Sequence, residues 1–120
     1  MMITVIVRFP LPQDLSSETV RTVYEHSAPQ FQGAPGLIRK YYLHGADQTG
    51  GGVYLWENRE AADNMHSETW RRQIAERFGA APQIEYFDSL FIIDNTAAAM
   101  PEQAASLEPS RNGRRVPTRS

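Results

Sequence analysis

The segment GVYLWE at residues 52–57 reads as a β-strand that is apolar on both sides. Neighbouring side chains of a strand point to opposite faces, so Tyr54 and Trp56 share one face while Val53 and Leu55 share the other. A strand near a protein surface ordinarily has one face toward the core and one toward water. This strand therefore needs a separate apolar layer on each side.

The same two-sided pattern recurs in three other strand-like segments. They are ITVIVRF (3–9), LIRKYYLH (37–44) and IEYFDSLFIID (84–94). Two further stretches, from Ser16 or Ser17 to about residue 32 and from about Arg59 to Gly79, have apolar residues at spacings of three and four, which is the period of one helix face. The order βαββαβ predicts an α+β fold, a ferredoxin-like antiparallel sheet with both helices on one face.

Two helices on one side would leave the other face of the sheet uncovered. A large contiguous apolar surface usually marks an interface. The simplest cover is the same face of a second copy, related by a two-fold axis, so the sequence predicts a homodimer through the open sheet face. The alternative is a monomer with its C-terminal tail folded over the sheet, although that tail is polar.

The domain is expected to span residues 1–95, followed by a disordered tail at 96–120 that is rich in Ala, Pro and Arg and lacks aromatic residues. The formal charge of −2 gives no general reason to expect a nucleic-acid partner. The absence of cysteine excludes disulfides and thiolate chemistry. The apolar run at residues 2–7 is short for a signal sequence or a membrane span, so we expect a cytoplasmic protein without a membrane partner.

Six features of the chain together resemble one known family. They are PGLIRKYYL (35–43), GGVYLWE (51–57), AADNMH (61–66), Trp70, FGAAP (78–82) and IEYFD (84–88). Over about residues 2–94 the chain resembles the dimeric α/β-barrel proteins of the antibiotic-biosynthesis-monooxygenase type, and among these the YdhR-type monooxygenases. The resemblance implies that two ferredoxin-like sheets pair into an α/β barrel.

The same resemblance implies an activity. Monooxygenases of this type oxidise a small aromatic substrate, such as a phenol or quinol, with molecular oxygen in an apolar pocket between sheet and helices. They often need no metal or flavin, so no cofactor is expected. Because one fold hosts many activities, a non-catalytic dimer that binds a small apolar ligand is the alternative.

His66 and Arg39 are the candidate catalytic residues. His66 lies on the second predicted helix, where it can face the sheet, and an imidazole can accept a proton near neutral pH. Its alternative role is packing. Arg39 is a charge within a strongly apolar strand, and it either stabilises a substrate anion or pairs with a carboxylate.

Four aromatic residues are candidates for substrate binding: Trp70, Tyr54, Trp56 and Tyr42. Trp70 follows His66 by one helical turn, which places both rings on one helix face. The alternation of side chains does not decide whether the other three line the pocket or form the dimer core. The histidines lack the spacing of metal ligands, so no metal site is expected.

Overall fold

The computed structural model describes residues 1–96, so the predicted tail beyond Thr96 lies outside the described residues. The elements are β1 (Ile3–Pro10), α1 (Ser17–Phe31), β2 (Leu37–His44), β3 (Thr49–Trp56), α2 (Arg59–Met65), α3 (Glu68–Phe78) and β4 (Gln83–Asp88). Residues Met1–Leu90 form one compact unit, and a second begins at Phe91. None of the helices in the described range is long and apolar enough to cross a membrane.

The four strands form one antiparallel sheet in the order β2-β3-β1-β4. This is the order of a ferredoxin-like sheet, and the predicted fold class is confirmed. The central strand β1 pairs with β3 on one side and β4 on the other, which sets Val5 opposite Tyr54 and Tyr86. Directly opposed residues share a face of the sheet, so these three side chains point to the same side.

The helices cover the face that carries Tyr54 and Trp56. The buried core joins residues from β1, β3 and all three helices: Ile3, Val5, Val7, Phe9, Tyr54, Trp56, Val20, Phe31, Ala62 and Trp70, with Leu11 after β1. Val53 and Leu55 therefore point to the other face of the sheet. The alternation of side chains left open which face of the sheet Tyr54 and Trp56 occupy, and in the structure it is the helix-covered face.

A bulge in β2 changes the alternation within that strand. Leu37 pairs with Trp56 and Arg39 with Leu55, so Ile38 is an extra residue on one strand only. Beyond the bulge, Lys40 lies opposite Tyr54 on the helix face. Leu37 therefore lies on the same face of β2 as Lys40, Tyr42 and His44.

The second predicted helix is two helices that meet at His66 and Ser67. Asn58 caps α2 by accepting the backbone N–H of Ala61 at 2.8 Å. Ser67 caps α3 in the same way with the N–H of Trp70 at 3.2 Å. His66 is the C-cap of α2 and has left the helical backbone conformation, with φ −89° and ψ 48°.

The last strand is shorter than the sequence predicts, because it ends at Asp88 and not near residue 94. Its pairing with β1 stops where Asp88 lies opposite Ile3, and the Ser89 N–H then donates to the Met2 carbonyl. Since β1 begins at Ile3, the ladder offers no partner to residues that follow Ser89.

Gly51 shows how closely β1 and β3 approach each other. It has φ +146°, and a Cβ atom there would lie 1.8 Å from the carbonyl oxygen of Val7. Because that oxygen belongs to the paired backbone of β1, it cannot move aside without breaking the ladder.

We expect Gly51→Ala to lower the free energy of unfolding by about 3 kcal/mol or more, through backbone strain and lost strand pairing. The control is Gly33→Ala, since Gly33 also has a positive φ but no atom within 4 Å of an added Cβ; it should lose only about 1 kcal/mol. Urea unfolding followed by tryptophan fluorescence measures both. Equal losses would contradict the close approach.

Candidate active site

A small cavity lies between the helix-covered face of the sheet and the helices α1 and α3. The residues around it are Phe9 of β1; Val23, Tyr24, Ser27, Gln30 and Phe31 of α1; Lys40 and Tyr42 of β2; Gly51 and Tyr54 of β3; and Trp70, Ile74, Arg77 and Phe78 of α3. Its volume is about 40 Å³. That is room for a few water molecules but not for an aromatic ring.

Lys40 brings an amine into this aromatic cavity. Its Nζ lies 3.4 Å from the ring centroid of Phe31, 3.9 Å from that of Tyr42 and 4.6 Å from that of Tyr54. Among residues 1–96 it forms no ion pair with a carboxylate. Burial disfavours the charged form and lowers the pKa of Lys40 to about 7. The amine and the ammonium are therefore both populated near neutral pH.

Sequence reasoning missed Lys40, although the sequence contains a signal for it. It is the only lysine of the 120 residues, and it stands next to Arg39 inside an apolar strand. Since neighbours on a strand point to opposite faces, one of two adjacent cations must face the helices. The bulge at Ile38, which the sequence does not reveal, decides that it is Lys40.

Hydrogen bonds fix the hydroxyls of two tyrosines of the cavity, Tyr42 and Tyr24. Tyr42 donates to Ser27 Oγ at 2.8 Å, and Ser27 donates to the Tyr24 carbonyl at 2.8 Å. The Tyr24 hydroxyl donates to the Leu43 carbonyl at 2.8 Å and accepts the Gly51 N–H at 3.0 Å. Burial raises the pKa of Tyr24 and of Tyr54. Neither phenol is therefore a base near neutral pH.

His66 is buried beside the cavity, with 2% of its surface exposed. Its Nε2 accepts the indole N–H of Trp56 at 3.2 Å, so the ring proton of the neutral imidazole lies on Nδ1. Burial, with smaller contributions from the charges of Lys40 and Arg71, lowers the pKa of His66 to about 3. At neutral pH the residue is therefore an uncharged hydrogen-bond donor with no free acceptor atom.

The Nδ1 atom of His66 is a buried donor that has no hydrogen-bond partner within residues 1–96. Aromatic rings surround the imidazole, with centroids 4.6 Å away for Tyr54, 4.7 Å for Trp70 and 5.5 Å for Trp56. Tyr54 and Trp70 line the cavity, whereas His66 does not. The imidazole therefore packs behind the part of the cavity wall that these two rings form.

The other predicted site residues divide between the two faces of the sheet. Trp70, Tyr54 and Tyr42 line the cavity as the substrate-binding prediction requires. Trp56 lies behind Tyr54, with parallel rings 6.1 Å apart, and holds His66. Arg39 lies opposite Leu55, on the face of the sheet that the helices do not cover, so its guanidinium is not part of the cavity.

A larger depression of about 420 Å³ lies open along α2. Its ionisable groups are the exposed carboxylates of Glu57 and Glu60. The smaller cavity is the better candidate site, because there a half-buried amine, that of Lys40, meets convergent hydroxyls and aromatic walls. No three His, Cys, Asp or Glu side chains come together as metal ligands in the part of the chain that the structure describes.

No sequence profile of a known family matches this chain, and no curated protein is significantly similar in sequence. Solved structures do match, at low sequence identity. A protein of Nitrosomonas europaea, provisionally described as an antibiotic biosynthesis monooxygenase, is 19% identical with a TM-score of 0.57, over 75% of this chain and 91% of that one.

Two further matches carry more specific descriptions. SnoaB of Streptomyces nogalater, described as a cofactor-independent oxygenase, is 14% identical with a TM-score of 0.55, over 76% of this chain and 95% of SnoaB. A monooxygenase from the gene ActVA-Orf6 of Streptomyces coelicolor, in complex with Nanaomycin D, is 16% identical with a TM-score of 0.54, over 77% and 90%.

The chain therefore has the ferredoxin-like fold of the antibiotic biosynthesis monooxygenases, as the sequence resemblance implied. Identities of 14 to 19% establish that fold and nothing finer. The narrower resemblance to YdhR-type proteins stays a prediction.

We expect His66 to stay neutral down to about pH 4, with its proton on Nδ1. Nitrogen NMR of the histidine rings measures both properties. Between pH 6.5 and 3 the unfolded chain binds a proton that folded His66 does not, so this residue makes the protein less stable as the pH falls. A His66 ring that becomes charged near the ordinary histidine pKa of about 6.5 would contradict the buried geometry.

Proposed function

We propose that the protein is a monooxygenase that oxidises a small phenol- or quinol-like substrate with molecular oxygen, in the cavity between the sheet and the helices. The observation that carries this proposal is the cavity itself, where aromatic walls and hydroxyls surround an amine that titrates near neutral pH. The descriptions of SnoaB and of the ActVA-Orf6 protein, which share the fold, support the same chemistry.

The chemistry requires little from the protein. An ionised phenol or anthrone can give an electron to oxygen, after which one oxygen atom joins the carbon as a carbonyl. The second oxygen atom leaves as water with two hydrogens of the substrate: both come from the reacting carbon of an anthrone, whereas a phenol gives one from the carbon and one from its hydroxyl. The protein must accept a proton, orient the ring and exclude bulk water. Tyr54, Trp70 and Tyr42 supply flat surfaces against which a ring can pack.

A ring-sized ligand requires the cavity to widen, because sites for such ligands usually measure about 300 Å³ or more. Gln30 of α1 and Arg77 of α3 are cavity residues that are also exposed to solvent. We propose that these two long side chains form the mouth and move aside on binding. Such movements of side chains and loops commonly admit substrates.

We also propose that two copies pair through the open sheet face and so form an α/β barrel. This face carries Tyr41, Phe87 and Leu43, which are 54%, 46% and 38% exposed. Ile6, Val53 and Leu55 lie on the same face and are partly buried. A two-fold axis would set this apolar face against itself.

The first experiment measures oxygen uptake by the purified, chelator-treated protein with a panel of quinols and anthrones. We expect uptake above the uncatalysed rate, and a loss of at least ten-fold in Ile74→Trp, because the larger side chain would fill the cavity. The control is Gln73→Trp, which places the same ring on the exposed side of the same helix.

Uptake that survives in Ile74→Trp would place the reaction outside the cavity. No uptake with any member of the panel, together with binding of panel members, would favour the alternative, a dimer that binds a small ligand without turnover.

The dimer is tested by size-exclusion chromatography with light scattering. We expect the wild type to have the mass of two chains and Tyr41→Glu to shift toward one chain, because it places a charge on the open face. Tyr41 is suitable because its exposure lets the folded monomer tolerate the change. Gln73→Glu adds a charge on exposed α3 as the control. A wild type that stays monomeric at high concentration would overturn the dimer.

A further inference from the structure

We infer that Lys40 is the group that accepts the substrate's proton, and that the cavity therefore selects ligands that bind as anions, namely acidic phenols and enols. This inference rests on the proposed function, because it names the substrate class of the same cavity. It assigns to Lys40 the direct contact with substrate that the sequence assigned to His66.

The geometry gives Lys40 a direct route to a ligand and gives His66 none. The amine projects into the cavity between the rings of Phe31 and Tyr42. In His66, one ring nitrogen is engaged by Trp56 and the other carries the proton. Since a base needs a free lone pair within hydrogen-bond reach of the substrate, Lys40 is the better placed residue.

The charges around the amine favour an anionic ligand. Besides Lys40, the titratable groups that face the cavity or contact its walls are Tyr24 of α1, Tyr42 of β2, Tyr54 of β3, Arg77 of α3 and His66 between the helices. None of these is a carboxylate, and Arg77 adds positive charge. The ammonium of Lys40 therefore lacks a counter-charge within residues 1–96, and a bound phenolate would supply one.

The proposed step is a simple proton transfer. The O–H bond of the phenol breaks, its proton forms a third N–H bond on the Lys40 amine, and the electron pair stays on the phenolate oxygen. The product is an ammonium–phenolate pair, which forms strong charge-assisted hydrogen bonds in a site of low polarity. The phenolate is also the form of the ring that can give an electron to oxygen.

This step predicts a characteristic pH dependence. The bound pair shares one titratable proton between the Lys40 amine and the ligand oxygen, whether it is written as amine plus phenol or as ammonium plus phenolate. Affinity should therefore be greatest between the pKa of free Lys40, about 7, and that of the free phenol. Binding should release a proton at more acidic pH, where both partners start protonated, and take one up at more alkaline pH.

The test uses 4-nitrophenol, because it ionises near neutral pH and only its anion absorbs visible light strongly. With the full chain, we expect the bound ligand to have the spectrum of the anion even below the pH at which half of the free ligand ionises. Lys40→Met should bind at least about ten-fold more weakly at neutral pH and hold the neutral phenol. Lys40→Arg should hold the anion and lose the alkaline fall in affinity, since arginine stays charged.

Arg72→Met is the control, because Arg72 is an exposed cation on α3 outside the cavity; its binding should match the wild type. Circular dichroism establishes that each variant is folded, and the Lys40→Arg comparison remains informative if Lys40→Met is not. A neutral spectrum for the ligand bound to wild type, an anion held by Lys40→Met, or no binding at millimolar 4-nitrophenol would each overturn the inference.

The outcomes separate this inference from the proposed function. Oxygen uptake without an anionic bound ligand would support the proposed monooxygenase activity and exclude Lys40 as the proton acceptor. An anionic bound ligand without oxygen uptake from any quinol or anthrone would support an anion-binding site at Lys40 and contradict the proposed oxidation.

Discussion

The pairing of β1 with β3 determines which side chains of this protein meet the helices. Val5 lies opposite Tyr54 and Ile3 opposite Trp56, so the largest rings of β3 lie beside buried positions of β1. A slip of one residue would move every ring to the other face. Gly51 protects the register, because it lets the β1 backbone approach at a point where any other residue would clash. The positions of Trp70, His66 and Lys40 all depend on this arrangement.

The aromatic core surrounds two nitrogen bases, His66 and Lys40, and gives them opposite properties. Both are disfavoured as cations by burial, which lowers the pKa of each. The difference lies in their neighbours. Trp56 donates to His66 and occupies the lone pair, so the imidazole has neither charge nor a free acceptor near neutral pH. The amine of Lys40 lies over the faces of the Phe31 and Tyr42 rings, which attract the ammonium weakly and leave the amine free to gain or lose a proton.

The sequence predicted those parts of the fold that depend on periodicity. The order of elements, the two apolar faces of the sheet and the inward residues Ala62, Trp70 and Phe78 all follow from spacing alone, and the structure confirms them. The break before α3 also has a visible signal, since Ser67 is a good N-cap inside the stretch that we expected to be one helix.

Periodicity could not place the site, because one extra residue in β2 changes the alternation of the strand. Without the bulge at Ile38, Leu37 and Arg39 would share a face, and Arg39 would be the cation that meets the helices. With the bulge, Lys40 takes that place and Arg39 lies on the opposite face. Bulges depend on the fit between paired strands, which a single sequence does not display. A single sequence therefore does not show which of these two adjacent cations meets the helices.

The two faces of β2 and β3 carry the candidate site and the proposed interface at alternate positions. Tyr42 and Lys40 face the cavity, while Tyr41 and Arg39 point to the open face; on β3, Tyr54 alternates with Val53 and Leu55. Strands fixed by a partner on one face cannot easily twist or shift, so a second sheet would hold the floor of the cavity in place. The helices are not held in this way, and the side chains at the mouth belong to them. Widening of the cavity for a ring should therefore come from α1 and α3, with the amine of Lys40 held on the rigid side.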